Sequence, residues 1–446
     1  MKRVIITLIL AASVVSVSAQ RHLDTLAQYR RSSLYSVLLK HTEGEENQII
    51  NSIFMDMPMP DKFNNHNLGT RTITSSSASG ITKTNSKKKN ATNFADIESK
   101  LIASGAARDM VAMWFNRDEA TGICNHDLIG ERGLYDASQY EIAIADQTIL
   151  GRGDLANNGM ALINNTFMLV NDITFVDTGE KTEKTKNLIN FIGGAIKQTT
   201  GADFTAATSL AGDVINSFDG YVVKISSYLY QLKWDDEHLQ NYYNNYYIST
   251  RMSEEERAAR YEAFKNAACD TTVFKLDYVG CTTTSARFVS LKEYANKTKQ
   301  EQFLIACTRA VDKSIVELQR EHEVFKVNVP IYRVNEDGTV DVQIGLKEGV
   351  NKKSKYQVLM PEMDESGNLS YRKIGTLAPV EDKIWDNRFG ALEEAEQRKI
   401  DNVEADEEAA EGNAYLDATT FKVVGAVDAN KFVGCVVREE HIARTN

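Results

Sequence analysis

Two long apolar runs constrain this chain more than any other feature. Thr166–Val176 (TFMLVNDITFV) and Tyr221–Trp234 (YVVKISSYLYQLKW) are crowded with β-branched and aromatic residues, the types that suit a pleated surface. In each run both alternation phases are largely apolar, so neither face can be left to water. Such strands belong at the centre of a sheet that is covered on both sides. That requirement excludes an all-helical fold and calls for further strands and for helices above and below. The composition agrees: 446 residues, 42% hydrophobic, 25% charged and only 5 Pro rule out collagen-like, wholly disordered and polytopic membrane chains.

The first 19 residues read as an export signal. Lys2-Arg3 is a basic start, Val4–Val15 is apolar, and Val17-Ser18-Ala19 places small residues before a cut at Gln20, the layout of a cleaved leader. The expected location is therefore the periplasm, the outer-membrane surface or the medium. No later window approaches the roughly 18 uninterrupted apolar residues of a spanning helix. The formal charge is −11, and −13 without Lys2 and Arg3; so acidic a chain is a poor candidate for a nucleic acid partner, whose phosphates call for clustered Lys and Arg. Five cysteines lie far apart without CxxC spacing. Cys269 and Cys281 suit a local bridge only if the chain turns back between them, and Cys307 falls on an apolar helical stripe as a small buried hydrophobe.

Along the chain, Leu26, Leu34, Val37 and Leu38 have helical spacing and predict a helix over 23–39, continued by Gln48–Met57 until Pro58 and Pro60. Residues 20–66 thus read as a helical N-terminal arm. Residues 67–95, rich in Ser, Thr, Asn and Lys, read as a linker. Residues 96–323 form a mixed α/β central domain with a helical start, the two strands above, a capped helix from Ser253, a strand at Val273–Val279 and an amphipathic helix at Gln302–Arg320. Between the central strands, 187–218 has two short amphipathic stretches that pack on the sheet or make peripheral membrane contact. From 324 to 446 the period changes to short strands. Asp337-Gly338 marks a hairpin, Pro330 marks an edge strand, and later strands are expected at 355–360, 370–377, 421–427 and 432–437. This reads as a small antiparallel β-barrel with an acidic insertion at 391–412, which carries nine acidic and two basic residues and is expected to be solvated.

The search for chemistry is mostly negative. There is no GxSxG, GxxxxGK[ST], HExxH or strand-following GxGxxG, and nothing calls for a cofactor. Cys124 and His126 are the start of a metal-ligand set without its second pair. Asp236 and His238 combine a carboxylate and an imidazole at a strand end and are the candidate catalytic residues. Tyr242, Tyr243, Tyr246 and Tyr247 are candidate partner-binding rings, since such clusters stack on sugars or fill interfaces.

Several strings, Tyr29–Ser36 (YRRSSLYS), Pro58–Asn64 (PMPDKFN), Phe167–Val176, Tyr228–Trp234 and Gly345–Leu359 (GLKEGVNKKSKYQVL), together resemble a group of exported proteins of uncharacterised function from Bacteroides-type bacteria. More loosely, Gly345–Val350 followed by an apolar strand and Ile374-Gly375-Thr376-Leu377 resembles the small barrels of flagellar-assembly and curli-secretion-type envelope proteins. That likeness implies an envelope assembly role. The expectation is an α+β exported protein with a helical arm, a mixed central sheet with helices and a C-terminal barrel. It is expected to act without catalysis as a binding or scaffold component, through envelope partners or self-association. The alternative is a secreted or periplasmic hydrolase with a spatially assembled site.

Overall fold

A computed structural model describes residues 32–41, 45–60, 63, 71–74, 90–125, 163–177, 221–287, 297–363, 369–401 and 412–440. The leader 1–19, the segment 187–218 and His126 lie outside the described residues. The elements are β1 (Ser33–Lys40), α1 (Glu45–Asp56), β2 (Thr72–Thr74), α2 (Asn90–Ser104), α3 (Ala106–Trp114), β3 (Thr166–Asp177), β4 (Tyr221–Leu232), α4 (Asp236–Asn245), α5 (Glu254–Lys265), β5 (Leu276–Arg287) and α6 (Lys299–Glu321). A second set follows: β6 (Val329–Pro330), β7 (Arg333–Val334), β8 (Val340–Val342), β9 (Tyr356–Met363), β10 (Leu369–Pro379), α7 (Ala391–Asp401), β11 (Thr419–Val423) and β12 (Val436–Glu439). Among the described residues no helix is long and apolar enough to cross a membrane.

The first sheet has the order β2-β1-β3-β4-β5. Strand β1 runs parallel to β2 and β3, and the remaining pairs are antiparallel. The two apolar runs are its interior strands. Leu169, Ile173, Ile225 and Leu229 point into a core closed by α1 and α6, while Met168, Val170, Tyr228 and Tyr230 point into another closed by α2–α5. The result is a sheet between two helical layers.

Strand β1 corrects the helical reading over 33–39, while 23–31 lie outside the described residues. Leu34, Val37 and Leu38 satisfy helical steps, but SLYSVLLK is apolar in both phases of a strand. Leu34 and Leu38 enter the α6-side core, and Tyr35, Val37 and Leu39 enter the other. Burial on two sheet faces outweighs a one-sided stripe, so the supposed arm supplies an interior strand. The linker reading of 67–95 is also too simple, because β2 and the start of α2 fall within it. The strand expected at 273–279 begins later. The Asp270 carboxylate accepts from Thr272 N (3.1 Å) and from its hydroxyl (2.6 Å), and Phe274 N donates to Asp270 O (2.8 Å). This turn holds Val273 and Phe274 in the core, and β5 starts at Leu276. Cys269 and Cys281 are unbridged, as are the other three cysteines. Cys307 is buried on the apolar stripe of α6, which pushes its thiol up to about 12.

The second sheet is antiparallel with the order β6-β12-β9-β10-β11-β8-β7. Its two edges, β6 and β7, are successive pieces of one segment. Val329 and Pro330 pair with β12, Ile331 N donates to Cys435 O (3.1 Å), Tyr332 N donates to Asp341 O (2.9 Å), and Arg333 and Val334 pair with β8. The sheet thus curls until residues 329–334 stitch one edge to the other. The last strands are shifted from their expected places: β11 ends at Val423, and Phe432 belongs to a 3₁₀ turn, Ala429–Phe432. The acidic stretch begins as α7, and it is not wholly solvated. Glu394 is buried against Arg309 at 2.8 Å.

Helix α6 joins the two units. Arg320 holds Glu439 of β12 through two bonds of 2.9 and 2.6 Å and donates to Gly349 O at 3.1 Å. Arg309 donates to Phe389 O and to Glu394. Between α6 and the barrel runs a groove of about 90 Å³ lined by Phe63, Ile315, Val316, Tyr356 and Val437. The Gly345–Val350 string has a local reason. Gly349 has φ +74°, and a Cβ on Gly345 would overlap the Trp385 carbonyl, which accepts from Leu346 N at 2.9 Å. A backbone neighbour cannot rotate away as a side chain can. Gly345→Ala is therefore expected to lower stability by about 2 kcal/mol in urea unfolding, in the range of overpacked interiors.

Candidate functional site

The interior strands are interrupted at their centres by polar letters, Asn171-Asp172 in β3 and Ser226-Ser227 in β4. The antiparallel register sets these pairs against each other, Asn171 opposite Ser227 and Asp172 opposite Ser226. Successive residues of a strand face opposite ways, so each side of the sheet receives one member of each pair.

On the α6 side the polar atoms serve one another. Asn171 donates to Ser36 Oγ (3.0 Å) and to Val37 O (3.3 Å), and Ser227 Oγ donates to Asn171 Oδ1 (2.8 Å). Nearby, Thr284 bonds Ser314 Oγ at 2.8 Å and Ala310 O at 2.9 Å. A buried network satisfied in this way fixes strand register, because a one-residue slip would strand an amide and two hydroxyls in apolar surroundings.

The other side holds the candidate site. Its apolar half lies under α2–α5, and the remainder is polar. His41, at the end of β1, bonds Asp172 through Nε2 at 2.8 Å, and both are buried. Ser226 bonds Thr283 of β5 at 3.2 Å, and Thr174 donates to Lys224 O at 3.4 Å. Cys281, Thr283 and Ser285, on the same side of β5, are exposed. Tyr228 borders this floor, and burial first, then the charge of Asp172, pushes its hydroxyl above the ordinary range. The floor therefore combines a fixed imidazole–carboxylate pair with hydroxyls that donate or accept. It is suited to hydrogen-bonding a polar ligand, and it sets a hydroxyl directly across the ladder from the carboxylate that orients a histidine.

The residues singled out in the sequence do other work. Asp235, not Asp236, engages His238. It is the N-cap of α4, and its Oδ1 accepts from His238 N (3.0 Å) and meets Nδ1 at 2.5 Å. Asp236 is exposed in the first helical turn. These bonds to His238 hold the Asp235 carboxyl at about 2, well below the usual carboxylate range. The arrangement is a helix cap, in which the partner of His238 is Asp235 and not the expected Asp236. Cys124 is buried beside Tyr242 Oη (3.4 Å) and accepts from Arg117 (3.6 Å). Among the described residues no group of three or more His, Cys, Asp or Glu is placed to hold a metal. The tyrosines turn inward. Tyr242 and Tyr246 are buried among Phe115, Trp234, Phe264 and Phe274, with Tyr243 and Tyr247 half-buried beside Phe115. They are the core between α3–α5 and the sheet, which leaves little of Tyr242 or Tyr246 for a partner.

No motif picks out His41, Asp172, Ser226 or Thr283. Their signal is the polar pair inside each otherwise apolar strand. No protein-family model matches the chain, and no curated protein matches it either.

Loss of the α4 cap is measurable. Asp235→Ala is expected to cost about 1 kcal/mol at neutral pH, as N-cap losses do. The folded carboxyl is depressed, so its contribution is complete above the ordinary carboxylate range near pH 4 and disappears as pH falls through about 2. The stability gap between variant and native chain, followed by urea unfolding across that window, should close on acidification.

Proposed function

We propose that this chain is an exported, non-enzymatic component of the cell envelope or surface, which binds a polar ligand and scaffolds partners through the polar floor of its central sheet. Support for export comes from the leader-like residues 1–19. The observation that carries the binding reading is the composition of that floor. Thr283 and Ser285 present hydroxyls on an open sheet surface, while His41 and Asp172 beneath them are already fixed to each other. Hydroxyls around one imidazole–carboxylate pair suit a peptide or glycan, whose own donors and acceptors match them, and the acidic chain disfavours a nucleic acid.

One observation favours a second reading, a hydrolase. His41 is held by Asp172, and Ser226 stands opposite Asp172 in the ladder. An imidazole oriented by a carboxylate is the base half of acyl-transfer wiring, and Ser226, the ladder neighbour of that carboxylate, would have to reach His41 to act as the nucleophile.

Two measurements separate these readings. In the native host, the chain is expected in envelope or medium fractions with Gln20 as its first residue; a cytoplasmic chain retaining Met1 would end the export reading. With peptide and glycan panels, the purified mature chain is expected to gain thermal stability from a bound ligand without turning it over, and Thr283→Val should remove that gain. Turnover lost equally in His41→Ala and Ser226→Ala would replace the binding reading with the hydrolase.

A further inference from the structure

At one end of the C-terminal barrel an aliphatic tip stands in solvent. Val424 is 45% exposed, Val427 37% and Val433 68%, with Gly425 and Ala426 exposed between the first two. Both stretches hang from a single buried anchor, the turn Ala429–Phe432, whose Ala429 and Phe432 sit in the barrel core. They also border one stretch of β10. Val424 N donates to Thr376 O at 2.8 Å, and the Phe432 ring lies against Gly375. Three exposed valines thus converge on one rigid mount. The other exposed large hydrophobics include Met55, Ile102 and Tyr278, which belong to α1, α2 and β5.

We propose that this tip is a membrane-contact site, seating Val424, Val427 and Val433 in the headgroup and upper acyl region of an anionic phospholipid bilayer. The proposal rests on the export reading, which brings the chain to a membrane surface. Charge selects the occupant. Lys422 and Lys431 flank the valines, are exposed, and have no ion-pair partner among the described residues. The local acid, Asp428, is exposed, but its Oδ1 is engaged in capping the turn, accepting from Asn430 N and its side-chain amide at 3.0 Å each, which leaves two lysines against one acid. Arg372 and Lys373 on β10 are engaged by Glu362 and Glu440, and Arg333 on the adjoining β7 is engaged by Asp341. On a chain of net charge −11, a negative surface repels most approaches and accepts one led by free lysines. Lysine stems spread along the interface while their ammonium groups stay wet, and the aliphatic groups between them enter the acyl boundary. A protein partner fits less well, because interface cores favour aromatic residues and arginine and are poor in lysine.

The test is flotation of the purified mature chain with vesicles of phosphatidylethanolamine and phosphatidylglycerol, beside vesicles of phosphatidylcholine alone. The chain is expected to float with the anionic vesicles at about 0.15 M salt, more weakly at about 1 M, and little with the neutral ones. The combined variant Val424→Asp, Val427→Asp, Val433→Asp should bind about tenfold less or worse, with an unchanged unfolding midpoint because these side chains are already exposed. If that variant fails to fold, the three serine substitutions carry the same comparison. Native protein that stays at the bottom of the gradient, or a variant that floats equally well, overturns the assignment. So does a chain that ignores vesicles but uses the same valines to hold an envelope protein. Failure of the export reading shows separately, as Met1 retained in the host.

Discussion

Among the described residues the two sheets are joined through α6, because that one helix is packed on two sides. Its apolar stripe, Phe303, Cys307, Val311, Ile315 and Leu318, closes one face of the central sheet. Arg309 and Arg320 reach the other way and take hold of the barrel unit through Phe389 O, Glu394, Glu439 and Gly349 O. A helix used on one face needs only a stripe; a helix used on both needs long cations whose stems cross apolar ground before their heads find partners. The bidentate Arg320–Glu439 contact fixes direction as well as distance, so the barrel is held at a set angle beside the groove.

The centre of the sheet follows a second constraint. Polar letters inside buried strands are costly unless each donor and acceptor finds a partner. On one face Asn171, Ser227 and Ser36 meet that demand among themselves and become a register lock. On the other, Asp172 takes His41, while the hydroxyls on β5 remain open to solvent. A single pair of strands therefore yields a structural device on one side and a candidate binding floor on the other, and the division follows from the twofold periodicity of a strand.

Much of this architecture is legible in the amino-acid sequence. Apolarity in both phases marks β3 and β4, the apolar stripe marks α6, Ser253 marks the start of α5, and Asp337-Gly338 marks the hairpin. The same two-phase test applied to SLYSVLLK finds β1; three leucine and valine positions at helical steps hide a run that is apolar on both phases. The start of β5 is obscured because Val273 and Phe274 are strand-forming residues held in a turn by the Asp270 side chain, a local bond that outweighs propensity. The candidate floor is legible only in part. Asn171-Asp172 and Ser226-Ser227 are visible as polar interruptions, but their opposition depends on ladder register, and His41 lies 131 residues from its partner. Asp235 shows the reverse hazard. A carboxylate and a histidine close in sequence resemble chemistry and form the start of a helix.

The stitching of the barrel by residues 329–334 has a mechanical consequence. In an open sheet, tension on a terminal strand unzips one ladder at a time. Here β12 is clasped between β9 and β6, and the chain leaving β6 runs on through two residues into β7, across the barrel mouth. Pulling at the C-terminal end therefore loads two ladders together and passes strain through Ile331 and Tyr332 to β8, while Arg320 ties the same strand to α6. The barrel should resist force from that end as a hoop does, and give way all at once.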